Sequence, residues 1–361
     1  MHAAAELLRF LPHLPWASGA ALPRFRAEDG SAPARATARG GPILVLGTAR
    51  SGTTWLAKIF DSHPQTIYRH EPDAVLRDDG LPWLCPEDED PVLDAEAARY
   101  LRRMARSATL KTRGPEPDFR KSYRGPAARA LRRGLSFGLR GLSALGVAPR
   151  ALGRFPLPDF GAGAARTVVK TVSAHGRAGP LGRAVGAAGG CALFILRDPR
   201  AQVASVLRGV AAGRFLADFE FDWMAATRQG RRHGLTADGL AAMPAIEQFA
   251  WHWTICNEQI LDGLGHAPHV RIVRYDALRA DPVGEARALF AFTGLDWHPR
   301  SEAFVLRSTA HAGPAGYYQV FRDASGADNT WKSDLGPADR ARIEAILAGS
   351  ALARYLTDLP D

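Results

Sequence analysis

Short apolar runs alternate with stretches in which apolar residues recur every three or four positions. Ile43–Leu46 is continuously apolar, the pattern of a parallel strand buried on both faces. From Thr53 onward, Trp55, Leu56, Ile59 and Phe60 share one helical face, and the His63-Pro64 pair ends that helix near Ser62. Segments 66–68, 166–172 and 269–274, with Cys191–Leu196, read as further strands. Helical spacing marks 94–107, 199–210, 244–264 and 281–292, and a Gly-rich helix follows 166–172. Asp198-Pro199 and Asp281-Pro282 supply helix-starting residues, and a final helix opens at Pro337. Strands alternating with helices predict an α/β fold: a parallel sheet flanked by helices on both faces, with helical insertions.

The first strand, loop and helix carry the chemistry. Gly47 and Gly52 enclose a four-residue loop that runs straight into the helix. Such a turn presents backbone N–H groups and a helix N-terminus to an anion. The spacing is P-loop-like as far as the second glycine, but Thr53 stands where an NTPase carries Lys. The nearest cation is Arg50, inside the loop. The site is therefore expected to take a phosphate-like group other than the Mg²⁺-bound nucleotide of a standard NTPase.

The chain of 361 residues carries a net charge of +9, which favours anionic partners. Nine basic residues between Arg120 and Arg154, with no acid among them, equal that whole excess. Leu131, Leu135, Leu139 and Leu142 lie between them at helical spacing, so 120–154 reads as an inserted basic amphipathic segment. It is either a solvated helical insertion or a surface for an anionic membrane and a membrane-borne acceptor. No aromatic platform or known module accompanies the charge, which argues against nucleic acid. Cys85, Cys191 and Cys256 are too few and too widely spaced for a zinc site or a disulfide framework, and a reducing compartment fits them. No metal is expected. The first 23 residues are apolar but broken by Arg9, Pro12 and Pro15, so neither a membrane span nor a signal peptide is expected. These features predict a cytoplasmic protein of bacterial type, possessing a flexible lead-in over 1–40 and one domain over 41–361 with an insertion at 78–160. They leave the oligomeric state open.

Three stretches together resemble the PAPS-dependent sulfotransferases, which use 3′-phosphoadenosine 5′-phosphosulfate. Arg50, Ser51, Gly52, Thr53, Thr54 and Trp55 look like the family's 5′-phosphosulfate loop. Arg197 and Ser205, eight residues apart, look like its 3′-phosphate signature. Arg274-Tyr275-Asp276 resembles a third family segment, and Trp331-Lys332 echoes the loop that closes over the cofactor, with Arg322 the nearest upstream arginine. The resemblance implies PAPS as donor and PAP as product, adenine stacking by Trp55, and a choice for Tyr275 between approach to the adenine and packing. It implies that Arg50 stabilises charge on the leaving group; an arginine here is similar to the carbohydrate-type and bacterial members.

An acceptor hydroxyl needs a general base. Glu71 follows the second strand, close to where glycan sulfotransferases carry a catalytic Glu, and Lys170 ends a strand nearby. His70 is expected to point away from Glu71 if the strand continues. His175 is the alternative base, because aryl sulfotransferases place a His soon after a similar Lys-Thr. The expected acceptor is a carbohydrate or glycolipid hydroxyl. The rival readings are a P-loop nucleotide kinase or NTPase, which lacks its lysine, and a PAP-binding protein without catalysis.

Overall fold

The structure, a computed structural model, describes residues 40–76, 80–85, 90–157, 159, 161–213, 220–310 and 330–355. The expected lead-in and Arg322 lie outside them. Five parallel strands form the sheet: β1 (Ile43–Leu46), β2 (Thr66–His70), β3 (Arg166–Thr171), β4 (Cys191–Leu196) and β5 (Val270–Arg274), in the order β2-β3-β1-β4-β5. Leu46 pairs with Thr171 on one side and Phe194 on the other, so β1 and β3 end level while β4 runs on to Leu196.

Side-chain alternation along the strands divides the core into two layers. Ile43, Val45, Val168, Leu193 and Ile195 face α1 (Thr53–Asp61), α7 (Pro282–Thr293) and α8 (Pro299–Ala310). Leu44, Leu46, Val169, Phe194 and Leu196 face α2 (Pro91–Arg106), α4 (Ala178–Ala187), α5 (Pro199–Ala211), α6 (Ala245–Leu264) and α9 (Pro337–Ala348). The α/β architecture with helices on both faces is the one the apolar pattern predicts. The helices that follow β1 and β4 lie on opposite faces, so a crevice opens at the carboxyl ends of these neighbouring strands. The starts of α5 and α7 are as expected: Asp198 accepts from Arg200 N (2.8 Å), Asp281 accepts from Gly284 N (2.8 Å), and Pro199 and Pro282 open the helices.

The basic segment forms α3 (Pro126–Ala144), but in a setting its leucines did not suggest. Of the four leucines spaced along it only Leu139 is buried, against Leu110 and Leu157. The inward side also carries Arg132 and Ser136. The cause is Asp159, beyond the segment, which pairs with Arg69 (2.6 Å), Arg124 (2.9 Å) and Arg132 (2.8 Å). One carboxylate thus gathers cations from β2, the preceding loop and α3, and turns the polar side of the helix inward.

Candidate active site

The loop after β1 is held open by its backbone. Gly52 has φ 98°, and a Cβ there would come within 2.5 Å of Cδ2 of Tyr275. Only glycine fits both restrictions. Arg50 has φ 69°, a left-handed conformation that costs a non-glycine residue about 1 kcal/mol or more. Four hydrogen bonds hold it and the residues just before it. Its Nε donates to Ser205 Oγ (3.0 Å), Arg197 Nη1 donates to its carbonyl (2.8 Å), and Gln202 Nε2 donates to Thr48 Oγ1 and to Ala49 O beside it. Trp253 Nε1 in turn donates to Gln202 Oε1 (3.1 Å). The guanidinium of Arg197 lies over the Tyr275 ring, 4.7 Å from its centroid. No side chain caps α1, so its N-terminal N–H groups face the loop.

A second group stands at the ends of β2 and β3. Glu71 has φ 43°, which turns it out of the strand. Its backbone N donates to Lys170 O (2.8 Å), and Lys170 Nζ donates to Glu71 Oε1. His70 Nε2 is 3.7 Å from the same carboxylate, and Tyr68 Oη is 2.7 Å from His70 Nδ1. The expectation that His70 points away is corrected here: the left-handed turn swings Glu71 round to the histidine's side. Lys170 is buried, whereas the Glu71 side chain is 25% exposed. Burial pushes the Glu71 carboxyl upward, but the charges of Lys170 and His70 and the Lys170 hydrogen bond overcome it and hold the group at about 2. Burial lowers His70 to about 3 against the opposing pull of Glu71. At neutral pH the Glu71 carboxylate is therefore ionised and the His70 imidazole neutral.

Other expected residues lie elsewhere. Trp55 is 4% exposed, donates through Nε1 to Ser308 Oγ (3.0 Å) and meets Tyr275 edge-on. It packs as a core aromatic, because the apolar face of α1 carries it inward. Tyr275 is buried beneath Arg197 and Gly52, so it packs. His175 is buried, bonded through Nδ1 to Gln259 Oε1 (3.0 Å) and edge-on to Trp83. Burial lowers it to about 3, and its contacts lie in the α6 layer, which counts against it as the base. Trp331 is buried with Arg200 over its ring (4.4 Å) and Arg340 near it (5.3 Å), so it packs at the start of α5. Lys332 lies beside Trp331, 5.7 Å from its ring.

Two residues escaped the sequence reading. Gln202 holds the loop, and its place three residues before Ser205 on one helical face was a usable signal. Asp73 is buried, accepts from Thr171 Oγ1, and has Oδ1 without a hydrogen-bond partner among the described residues. Burial and the nearby Glu71 charge raise it to about 6, opposed by the Thr171 bond and Lys170. Among the described residues no group of His, Cys, Asp and Glu is placed to hold a metal ion.

Parts of the chain are similar to known proteins. Over 84 residues the chain is 34% identical to human carbohydrate sulfotransferase 6, covering 22% of this chain and 21% of that one. It is 32% identical over 84 residues to mouse carbohydrate sulfotransferase 5, again 22% and 21% of the two chains. The match thus spans about a fifth of the length of these relatives. Among solved structures, the sulfotransferase domain from the Synechococcus PCC 7002 olefin synthase covers 94% of this chain and 100% of its own at 17% identity and TM-score 0.43. Mouse sulfotransferase SULT7A1 complexed with PAP covers 89% of each chain at 13% identity and TM-score 0.42. The sulfotransferase family profile matches residues 42–299, from the strand before the anion loop past Tyr275, and the chain belongs to the sulfotransferase family.

Proposed function

We propose that the protein transfers a sulfuryl group from PAPS to a hydroxyl of a carbohydrate or glycolipid and releases PAP, with residues 41–361 as the catalytic unit. The observation that carries this reading is the convergence of Arg50, Arg197 and Ser205 on one uncapped helix N-terminus. The local kinship with carbohydrate sulfotransferases supports the acceptor class.

The residues fit a polyanionic donor. Ser51 Oγ is buried without a hydrogen-bond partner among the described residues, and two guanidiniums border the loop. Gly52, Thr53 and Thr54 supply N–H groups at the positive end of α1. PAPS supplies the activated sulfuryl group and a stable leaving group. Arg50, always charged, holds negative charge at the loop and does not donate a proton. Ser205 orients it, while Arg197 fixes the loop from below. Glu71 takes the acceptor proton: Lys170 and His70 engage Oε1, and Oε2 takes part in neither contact. A carboxylate held at about 2 is a poor base. An anion that draws Lys170 off Oε1 raises the proton affinity of Glu71, so donor binding readies the base.

Calorimetry with PAP, ATP and GTP, paired with radiolabelled sulfate transfer from PAPS to a glycan panel, tests the reading. PAP binding and labelled glycan are expected. Tighter binding of ATP or GTP than of PAP would overturn it in favour of a nucleotide kinase or NTPase.

A further inference from the structure

The outward side of α3 is an apolar surface on which none of the described residues packs. Leu131 is 63% exposed, Phe137 and Leu145 are 81% exposed, and Leu135 and Leu142 lie between them. At 100° per residue these side chains share the outward half of the helix, and Arg133 flanks that half on the Phe137 side. Val147 and Phe155 continue the exposed apolar surface beyond the helix.

The helix cannot roll to hide this side. Arg132 pairs with Asp159 (2.8 Å) and donates to Leu157 O (3.2 Å), and Arg140 donates to Gly114 O. Rolling the leucines inward would leave buried guanidiniums unpaired. Exposed apolar side chains on a helix locked in place by ion pairs are an interaction surface.

We propose that this side of α3 rests on an anionic lipid surface, with Leu131, Phe137, Leu142 and Leu145 entering the headgroup boundary. Charge selects the occupant. Residues 120–154 contain no acid, and Arg133, Arg150 and Arg154 accompany the apolar side chains. A second copy of the chain docking through the same side would set arginine against arginine, whereas anionic headgroups complement them. The helix lies on the bilayer and does not cross it: α3 carries four arginines, and no helix among the described residues is long and apolar enough to span a membrane. None of these side chains belongs to the Arg50 or Glu71 groups, so the proposal holds whatever the donor is. It would bring the crevice to membrane-borne acceptors.

Flotation of the full chain with vesicles tests it, using phosphatidylcholine alone and phosphatidylcholine with about one third phosphatidylglycerol. The protein is expected to float with the anionic vesicles and much less with the neutral ones. The triple variant Leu131→Gln/Phe137→Gln/Leu145→Gln changes only exposed side chains and is expected to lower the partition coefficient by about tenfold or more. Its far-UV circular dichroism and melting temperature should match those of the unaltered protein. Arg133→Gln/Arg154→Gln should weaken the preference for anionic over neutral vesicles. Absence of flotation, or flotation unchanged in the triple variant, would overturn the proposal. So would a dimer in sedimentation that the triple variant dissolves while lipid binding is absent.

Discussion

Arg50 occupies a backbone conformation suited to glycine, and its side chain justifies the strain. Ser205 receives its Nε, which fixes the plane of the guanidinium. Lysine keeps the charge but loses that bond and the planar fork. Arg50→Lys is therefore expected to lower kcat by about a hundredfold, with PAP affinity, measured by calorimetry, falling much less. Comparable losses in both would assign Arg50 to binding alone. Glu71→Gln keeps the shape and removes the proton acceptor. It should lower turnover by about 10²–10⁴-fold while PAP still binds, and near-normal turnover would remove Glu71 as the base. Asp73 yields a prediction about stability. Its carboxyl sits near 6 in the folded protein against an ordinary value of 3.8. Below 3.8 both states hold the proton. As pH rises from there through 6, the unfolded chain releases it first, and stability falls by a few kcal/mol at most. Asp73→Asn removes that loss, so the variant should gain about 1–3 kcal/mol over the parent at pH 8 and little at pH 4, read from urea unfolding at both values.

Among the elements, α1 is braced at both ends. Gly52 admits the Tyr275 ring at its start, and Lys58, Asp61 and Lys121 form a buried ion cluster at its end. Lys121 Nζ lies 2.9 Å from Asp61 Oδ1 and 3.1 Å from His63 O, pinning the segment before α3 to the end of α1. Burial pushes Asp61 upward, yet Lys121 and Lys58 together hold it at about 2. The pair's contribution is thus present above pH 3.8 and lost as pH falls through 2. Lys121→Met should cost about 3–5 kcal/mol near neutral pH, because it leaves a buried carboxylate short of a partner. The cost should shrink on acidification, and a pH-independent loss in denaturant unfolding would point to packing instead. These elements also show what the sequence disclosed. Apolar runs and Asp-Pro pairs are local signals, so β1, β4 and the starts of α5 and α7 were legible. The roll of α3 was not, because it depends on Asp159, remote from most of its partners in sequence. The turn at Glu71 was hidden for another reason: a left-handed backbone without glycine leaves no mark in composition. Trp55 was ambiguous because a core aromatic and a stacking aromatic have the same helical spacing.

The candidate site exists only when the whole molecule is folded. Arg50 meets Ser205 across 155 residues and Glu71 meets Lys170 across 99, with Tyr275 arriving from beyond β5. The motifs showed which segments belong together, but their relative placement depends on the order β2-β3-β1-β4-β5, which sets the loop after β1 beside β3 and β4. Such a site has no counterpart in the unfolded chain, so a ligand that fits it stabilises the entire fold. PAP at a hundred times its dissociation constant should add about 2.7 kcal/mol and raise the melting temperature measurably. ATP at equal concentration should add much less, because Thr53 replaces the lysine that an NTPase directs at its nucleotide. Screening also enters: with a net charge of +9 and two arginines at the loop, PAP stabilisation should weaken as salt rises from about 0.05 to 0.5 M. Thermal melts of the parent and of Arg50→Lys across this range read both effects. Equal shifts with ATP and PAP, insensitive to salt and unchanged by the substitution, would mean that the ligands bind outside the crevice.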